Sequence, residues 1–140
     1  MIYPRPEPTI LPILAAPAIA IAFITLCSLW KEPNRRHFGA IILAGAGAAY
    51  LSGGFGVWEF AFCFLMAFVA FGGLNHYRLI GAGWILHTIW DVLHHLYGNP
   101  IVGPIRTSSL GCAICDPVLA VWYFLGAPSV FFRLRRPRAL

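Results

Sequence analysis

Charge is what this chain has least of. Of its 140 residues only 11% are Asp, Glu, Lys or Arg, and the acidic residues number five. A soluble globular chain carries about 25% charged residues. Here 59% of the residues are hydrophobic and the mean hydropathy is +0.75, which sets the expectation of an integral membrane protein. Internal repeats, heptads and a segment of soluble-domain composition are all lacking, which excludes solenoids, coiled coils and an appended soluble domain. The opening MIYPRPEPTILPIL lacks the basic start and cleavage site of a secretory signal, so its apolar segment is expected to be retained. Ten basic residues against five acidic ones would suit nucleic acid. They sit at segment ends, however, including the tail RLRRPR, where anchoring and topology explain them and no nucleic-acid partner is expected.

A helix crossing a bilayer needs about 20 mostly apolar residues. The apolar runs divide into five segments, 10–30, 38–52, 57–73, 80–97 and 112–132. The fold class expected is therefore all-α, a polytopic membrane helical bundle with five transmembrane helices in a single domain, 1–140. Glycines 39, 45 and 47 among alanines would let a second helix approach the 38–52 segment closely. Joining the second and third segments across SGGFG gives four spans as the alternative. Five spans place Lys31, Arg35, Arg36, Arg78, Arg133, Arg135, Arg136 and Arg138 on one side and only Arg5 and Arg106 on the other. That bias predicts a bacterial inner-membrane protein with its amino terminus outside and its carboxy terminus cytoplasmic. In CDP, Asp116 reads as the cap of a helix whose first residue is Pro117.

One short stretch breaks the apolar pattern. HTIWDVLHH, residues 87 to 95, holds three histidines and an aspartate. At about 100° per residue, Asp91, His94 and His95 lie about 40°, −20° and 80° from His87, within a third of the helix circumference. Ionisable groups in an apolar setting are costly and should satisfy one another. Imidazole is the commonest transition-metal ligand, so His87, Asp91, His94 and His95 are expected to hold a divalent metal, zinc above others. Asp91, if not a ligand, is the candidate catalytic base. A hydrogen-bonded polar seam and a proton relay are the other readings of the same stripe. It is not a zincin motif, since no HExxH occurs.

A second feature is CAIC, followed directly by Asp116. Cys112 and Cys115 have the spacing of half a zinc site, of a redox dithiol and of a structural disulfide. In the five-span topology they fall at the same outer level as His94, His95 and Glu59, so Cys112, Cys115, Asp116 and Glu59 are further candidate metal or redox residues. Cys27 and Cys63 read as core residues. Trp58, Trp84, Trp90 and Trp122 read as interface anchors or, alternatively, as an aromatic wall around a ligand.

GWILHTIWDVLHHLYG together with SSLGCAICDPVLAVWYFLGAP resembles a group of small bacterial multi-pass membrane proteins of uncharacterised function. The resemblance covers about residues 83 to 128 and implies a compact helical architecture without supplying an activity. The placement of Cys112 and Cys115 is similar to the CxxC pair of vitamin K epoxide reductases, whose additional loop cysteines have no counterpart here. His87, Asp91 and His94 look like the zinc ligands of alkaline ceramidase-like membrane hydrolases, which have seven spans. Three functions are thus expected in order: metal-dependent hydrolysis of a lipid-like substrate, thiol–disulfide exchange with a quinone, and a haem-binding or structural subunit role. The expected partners are membrane lipids, a homo-oligomer or a larger membrane complex.

Overall fold

The computed structural model describes residues 10–51 and 53–133. Arg5, Glu7, Ser52 and the basic tail beyond Arg133 lie outside the described residues. Five main helices follow one another: α1 (Ile10–Cys27), α2 (Asn34–Gly47), α3 (Val57–Gly73), α4 (Tyr77–Tyr97) and α5 (Ser108–Phe124), with a single turn, α6 (Val130–Arg133), after them. The all-α expectation and the separation of the second and third segments agree with this order. Gly54 and Gly56 hold φ values of +103° and +58°, which residues with a Cβ rarely adopt, and so force the reversal between α2 and α3.

The expectation of transmembrane helices is corrected. Among the described residues no helix is long and apolar enough to cross a membrane. The most apolar helix, α1, has 18 residues, about 27 Å at 1.5 Å per residue, against about 30 Å of hydrocarbon. α2 has 14 residues and α3 and α5 have 17 each, which is shorter still. Only α4, with 21 residues, has the length, and Arg78, His87, Asp91, His94 and His95 dilute its apolar character. The inner-membrane localisation and the inside–outside assignment of the basic residues fall with the spans.

Several boundaries also differ from the sequence reading, and two of them move charged residues. α2 begins at Asn34, not Phe38, so Arg35 enters the helix and is buried. Its guanidinium donates to the Trp30 carbonyl through Nε (3.1 Å) and Nη2 (2.7 Å) and to the Ala127 carbonyl through Nη1 (2.9 Å). An arginine expected in a basic loop instead ties the end of α1 to the turn after α5. α5 begins at Ser108, not Cys112, so Asp116 is not a cap and Pro117 lies in the helix interior. There the proline removes one hydrogen bond, to the Ala113 carbonyl.

The core runs through Ala20, Leu43, Met66, Ile80, Leu119 and Tyr123, drawn from all five helices. α5 packs chiefly on α4 and on α1, and α2 lies against α3. Small residues set two of these approaches. A Cβ at Gly47 would collide with Met66 of α3, and one at Gly81 would press on the Ala120 carbonyl and the Phe124 ring of α5. Outside the core, α3 leaves Phe60, Phe64, Phe68 and Phe71 exposed along one stripe.

Candidate metal centre

The α4–α5 contact places the polar face of α4 against one face of α5. His87 and Asp91 stand one turn apart on α4, and Asp116 meets them from α5. Their relative exposures are 2%, 0% and 3%. Burying three ionisable groups without mutual compensation would be prohibitive, so their contacts decide what the group can do. His87 Nδ1 lies 2.8 Å from Asp116 Oδ2 and 3.1 Å from Asp91 Oδ2. His87 Nε2 lies 3.0 Å from the Ala46 carbonyl, at the end of α2.

These distances fix the histidine. A carbonyl only accepts, so Nε2 carries a hydrogen and donates to Ala46. Nδ1 then faces two carboxylate oxygens, and a bare lone pair there would repel both. Something positive must sit between them, a proton or a metal ion. One ligand atom from each of the three residues lies within 4.8 Å of the others.

Without metal, the proton takes that place. Burial opposes charge on His87, but hydrogen bonds to Asp116 and Asp91 and their charges prevail and raise its pKa to about 10. Burial likewise raises Asp116 to about 7 despite the opposing pull of His87. The group therefore holds a proton more firmly than a free histidine does.

Tyr50, in the turn after α2, completes the shell. Its hydroxyl donates to Asp91 Oδ1 at 2.6 Å, so both oxygens of Asp91 are engaged. Burial first, then the charge of Asp91, pushes the Tyr50 phenol well above its ordinary pKa, so it stays a donor. The Tyr50 ring stacks on His94 with centroids 3.8 Å apart.

His94 does not join the triad. It is buried one turn further along α4, with Nδ1 3.2 Å from the Asn99 carbonyl and Nε2 3.2 Å from Glu59 Oε1. Burial lowers its pKa although Glu59 pulls the other way. Glu59, at the start of α3, accepts from the Phe55 amide at 3.0 Å and from Trp90 Nε1 at 3.3 Å. His95 is half-buried and outside the group of three.

Cys112 and Cys115 lie within α5, both as free thiols. Burial, with the charges of Asp91 and Asp116 adding to it, pushes each up to about 12. Both are therefore protonated at neutral pH, whereas a reactive dithiol has a depressed pKa. Ser109, one turn before Cys112, is fully buried, and its hydroxyl reaches the Tyr50 phenol and opposes the rise in that phenol's pKa, while Trp84 Nε1 has no hydrogen-bond partner. Of the tryptophans, Trp58 is exposed while Trp84 and Trp122 are buried.

Two members of this site escape sequence reasoning. Tyr50 follows a run of small residues with no spacing that links it to α4, and the carbonyl of Ala46 has no sequence signature at all. Ser109 falls outside the segment expected at 112–132, because α5 begins earlier, at Ser108.

A protein-family model matches residues 11–129. The chain belongs to DUF6010, a family of unknown function. No curated protein and no solved structure matches this DUF6010 chain. The matched residues span α4, α5 and the Tyr50 turn, and so include every member of the buried group.

Proposed function

We propose that the chain is a metal-binding protein in which His87 Nδ1, Asp91 and Asp116 hold one divalent transition ion, with zinc the best match. The observation that carries this is the orientation of His87. With Nε2 committed to the Ala46 carbonyl, the Nδ1 lone pair and two carboxylates converge on one point. A backbone carbonyl fixing the tautomer of a ligating histidine is the usual outer-shell arrangement, and Tyr50 does the same for Asp91.

Charge supports the same reading. Two carboxylates and a neutral imidazole carry two negative charges, which one divalent ion cancels. A single proton leaves one negative charge buried. Size is compatible too. Ligand atoms around a tetrahedral zinc at about 2.0–2.1 Å are about 3.3 Å apart. The present separations of 2.8 and 3.1 Å need to open by only a few tenths of an ångström.

Three protein ligands leave a fourth position for water, whose pKa zinc lowers to about 7. Hydrolysis is the reaction class such a centre supports. Asp91, with both oxygens occupied, serves as ligand and not as base. The rival reading puts a proton where the ion would be and makes the triad a polar tie between α4 and α5. The 2.8 Å separation favours it.

Metal analysis of the purified, desalted chain decides between them. The proposal expects stoichiometric zinc or its uptake on incubation, lost in Asp116→Asn. A chain that neither contains nor takes up zinc, manganese, iron or cobalt retains only the polar tie.

A further inference from the structure

With no spans to explain them, the basic residues gathered at one end of the bundle need another cause. Direct contacts show which segments meet there. Ser129 Oγ donates to the Ser28 carbonyl at 3.0 Å, Arg35 Nη1 to the Ala127 carbonyl at 2.9 Å, and Arg36 Nε to the Leu74 carbonyl at 2.8 Å. The end of α1, the start of α2, the α3–α4 turn and the chain after α5 therefore make up one face. It carries Lys31, Arg36 and Arg78, with His37 and His76 beside them, and all but the half-buried Arg36 are exposed. Glu59, Asp91 and Asp116 are buried elsewhere, so Glu32 is the only exposed carboxylate among the described residues. Glu32 is already engaged, accepting from the Tyr77 hydroxyl and lying 3.7 Å from Arg35. The chain thus leaves the positive charge of this face largely unneutralised. Apolar side chains share the face. Leu29, Phe71, Leu79 and Leu125 are exposed on the same segments, and an open groove lined by Trp30, Asn34, His37, Phe38 and Ile41 adjoins Lys31.

We propose that this face docks on an anionic phospholipid surface, resting among the headgroups without any helix crossing the bilayer. Lys31, Arg36 and Arg78 meet the phosphates, while Leu29, Phe71, Leu79 and Leu125 enter the shallow apolar layer beneath them. Trp30 and Tyr77, each an apolar ring with a polar tip, suit the boundary between the two. Other occupants use only half of what the face offers. A nucleic acid would pair with the cations and leave the leucines and Phe71 in water. A second copy of the chain would set like charge against like. The far end differs, because Arg106 is its only Lys or Arg among the described residues. That asymmetry orients the chain, with the α4–α5 loop turned away from the lipid.

Cosedimentation of the full chain with vesicles tests this, phosphatidylcholine alone against phosphatidylcholine mixed with phosphatidylglycerol. Binding is expected to favour the phosphatidylglycerol vesicles and to weaken as salt rises. Each cation near such a surface is worth about fivefold in affinity, so Lys31→Gln combined with Arg78→Gln should weaken binding about thirtyfold. Phe71→Ser should reduce the binding that survives high salt, and Arg106→Gln, at the far end, should bind as wild type does. Equal binding to the two kinds of vesicle, no binding to either, or a double variant that binds unchanged overturns the proposal. Tighter binding to duplex DNA than to phosphatidylglycerol vesicles at the same salt also overturns it and gives the face to nucleic acid. If the double variant does not melt as wild type does, the two single variants replace it, with about fivefold expected for each.

Discussion

Replacing Tyr50 by Phe removes one oxygen and leaves the ring in place. That oxygen donates to Asp91 at 2.6 Å, while the ring keeps its 3.8 Å stack on His94. The change therefore isolates a single hydrogen bond to a buried carboxylate. Such bonds to charged groups are worth about 1.5–3 kcal/mol. Asp91 is 0% exposed, so no water replaces the donor. Metal-free Tyr50→Phe is expected to lose about 2 kcal/mol, a fall in Tm of about 8 °C for a chain of this length. Its affinity for zinc should weaken about 10–100-fold, the usual cost of losing an outer-shell partner. Competition with a chromophoric chelator gives the affinity, and circular dichroism gives the melt. A variant that binds zinc within twofold of wild type and melts at the same temperature would refute the assignment of Tyr50 to this shell.

The proton held by the triad predicts an unusual pH profile. Folding raises His87 from 6.5 to about 10 and Asp116 from 3.8 to about 7. Both contributions are therefore fully present in acid and are lost as pH rises, Asp116 up to about 7 and His87 up to about 10. Metal-free Tm should fall from pH 5 to pH 9 while the increment from added zinc grows, because ligation displaces the proton. A metal-free Tm that climbs over that range contradicts the assignment. Gly53→Ala should destabilise by about 1–3 kcal/mol through overpacking, whereas Gly45→Ala, which meets nothing within 4 Å, should stabilise its helix by about 0.5–1 kcal/mol. Denaturant melts distinguish the two. Arg35→Lys should cost about 2–3 kcal/mol, since an ammonium cannot span the Trp30 and Ala127 carbonyls as the planar guanidinium does. A melt within 0.5 kcal/mol of wild type would show that the tie is dispensable.

The helices were legible where apolar runs end at glycine or charge. α3, bounded by Gly56 and Gly73, coincides with the segment expected at 57–73. Periodicity also put His87, Asp91 and His94 on one face of α4, and all three are buried. It could not say which of them share a ligand. That depends on Asp116 and Glu59, which arrive from α5 and α3 through packing that no local spacing records. Asp116 was misread because Asp-Pro imitates a helix start, while the amide hydrogen bonds that place the start at Ser108 leave little trace in sequence. The membrane expectation arose from the mean hydropathy, from five apolar runs and from the bias of basic residues. Length is what α1, α2, α3 and α5 lack, and α4, which has it, is diluted by charged and polar residues.

The buried group draws Ala46 from α2, Tyr50 from the turn that follows, Glu59 from α3, His87, Asp91 and His94 from α4, and Asp116 from α5. No single helix contains it. During synthesis the first hundred residues would deliver every member but one, and only the docking of α5 supplies the last. Asp116 thereby acts as the closing pin of a clasp, and an ion held by the triad would certify a chain that has finished folding.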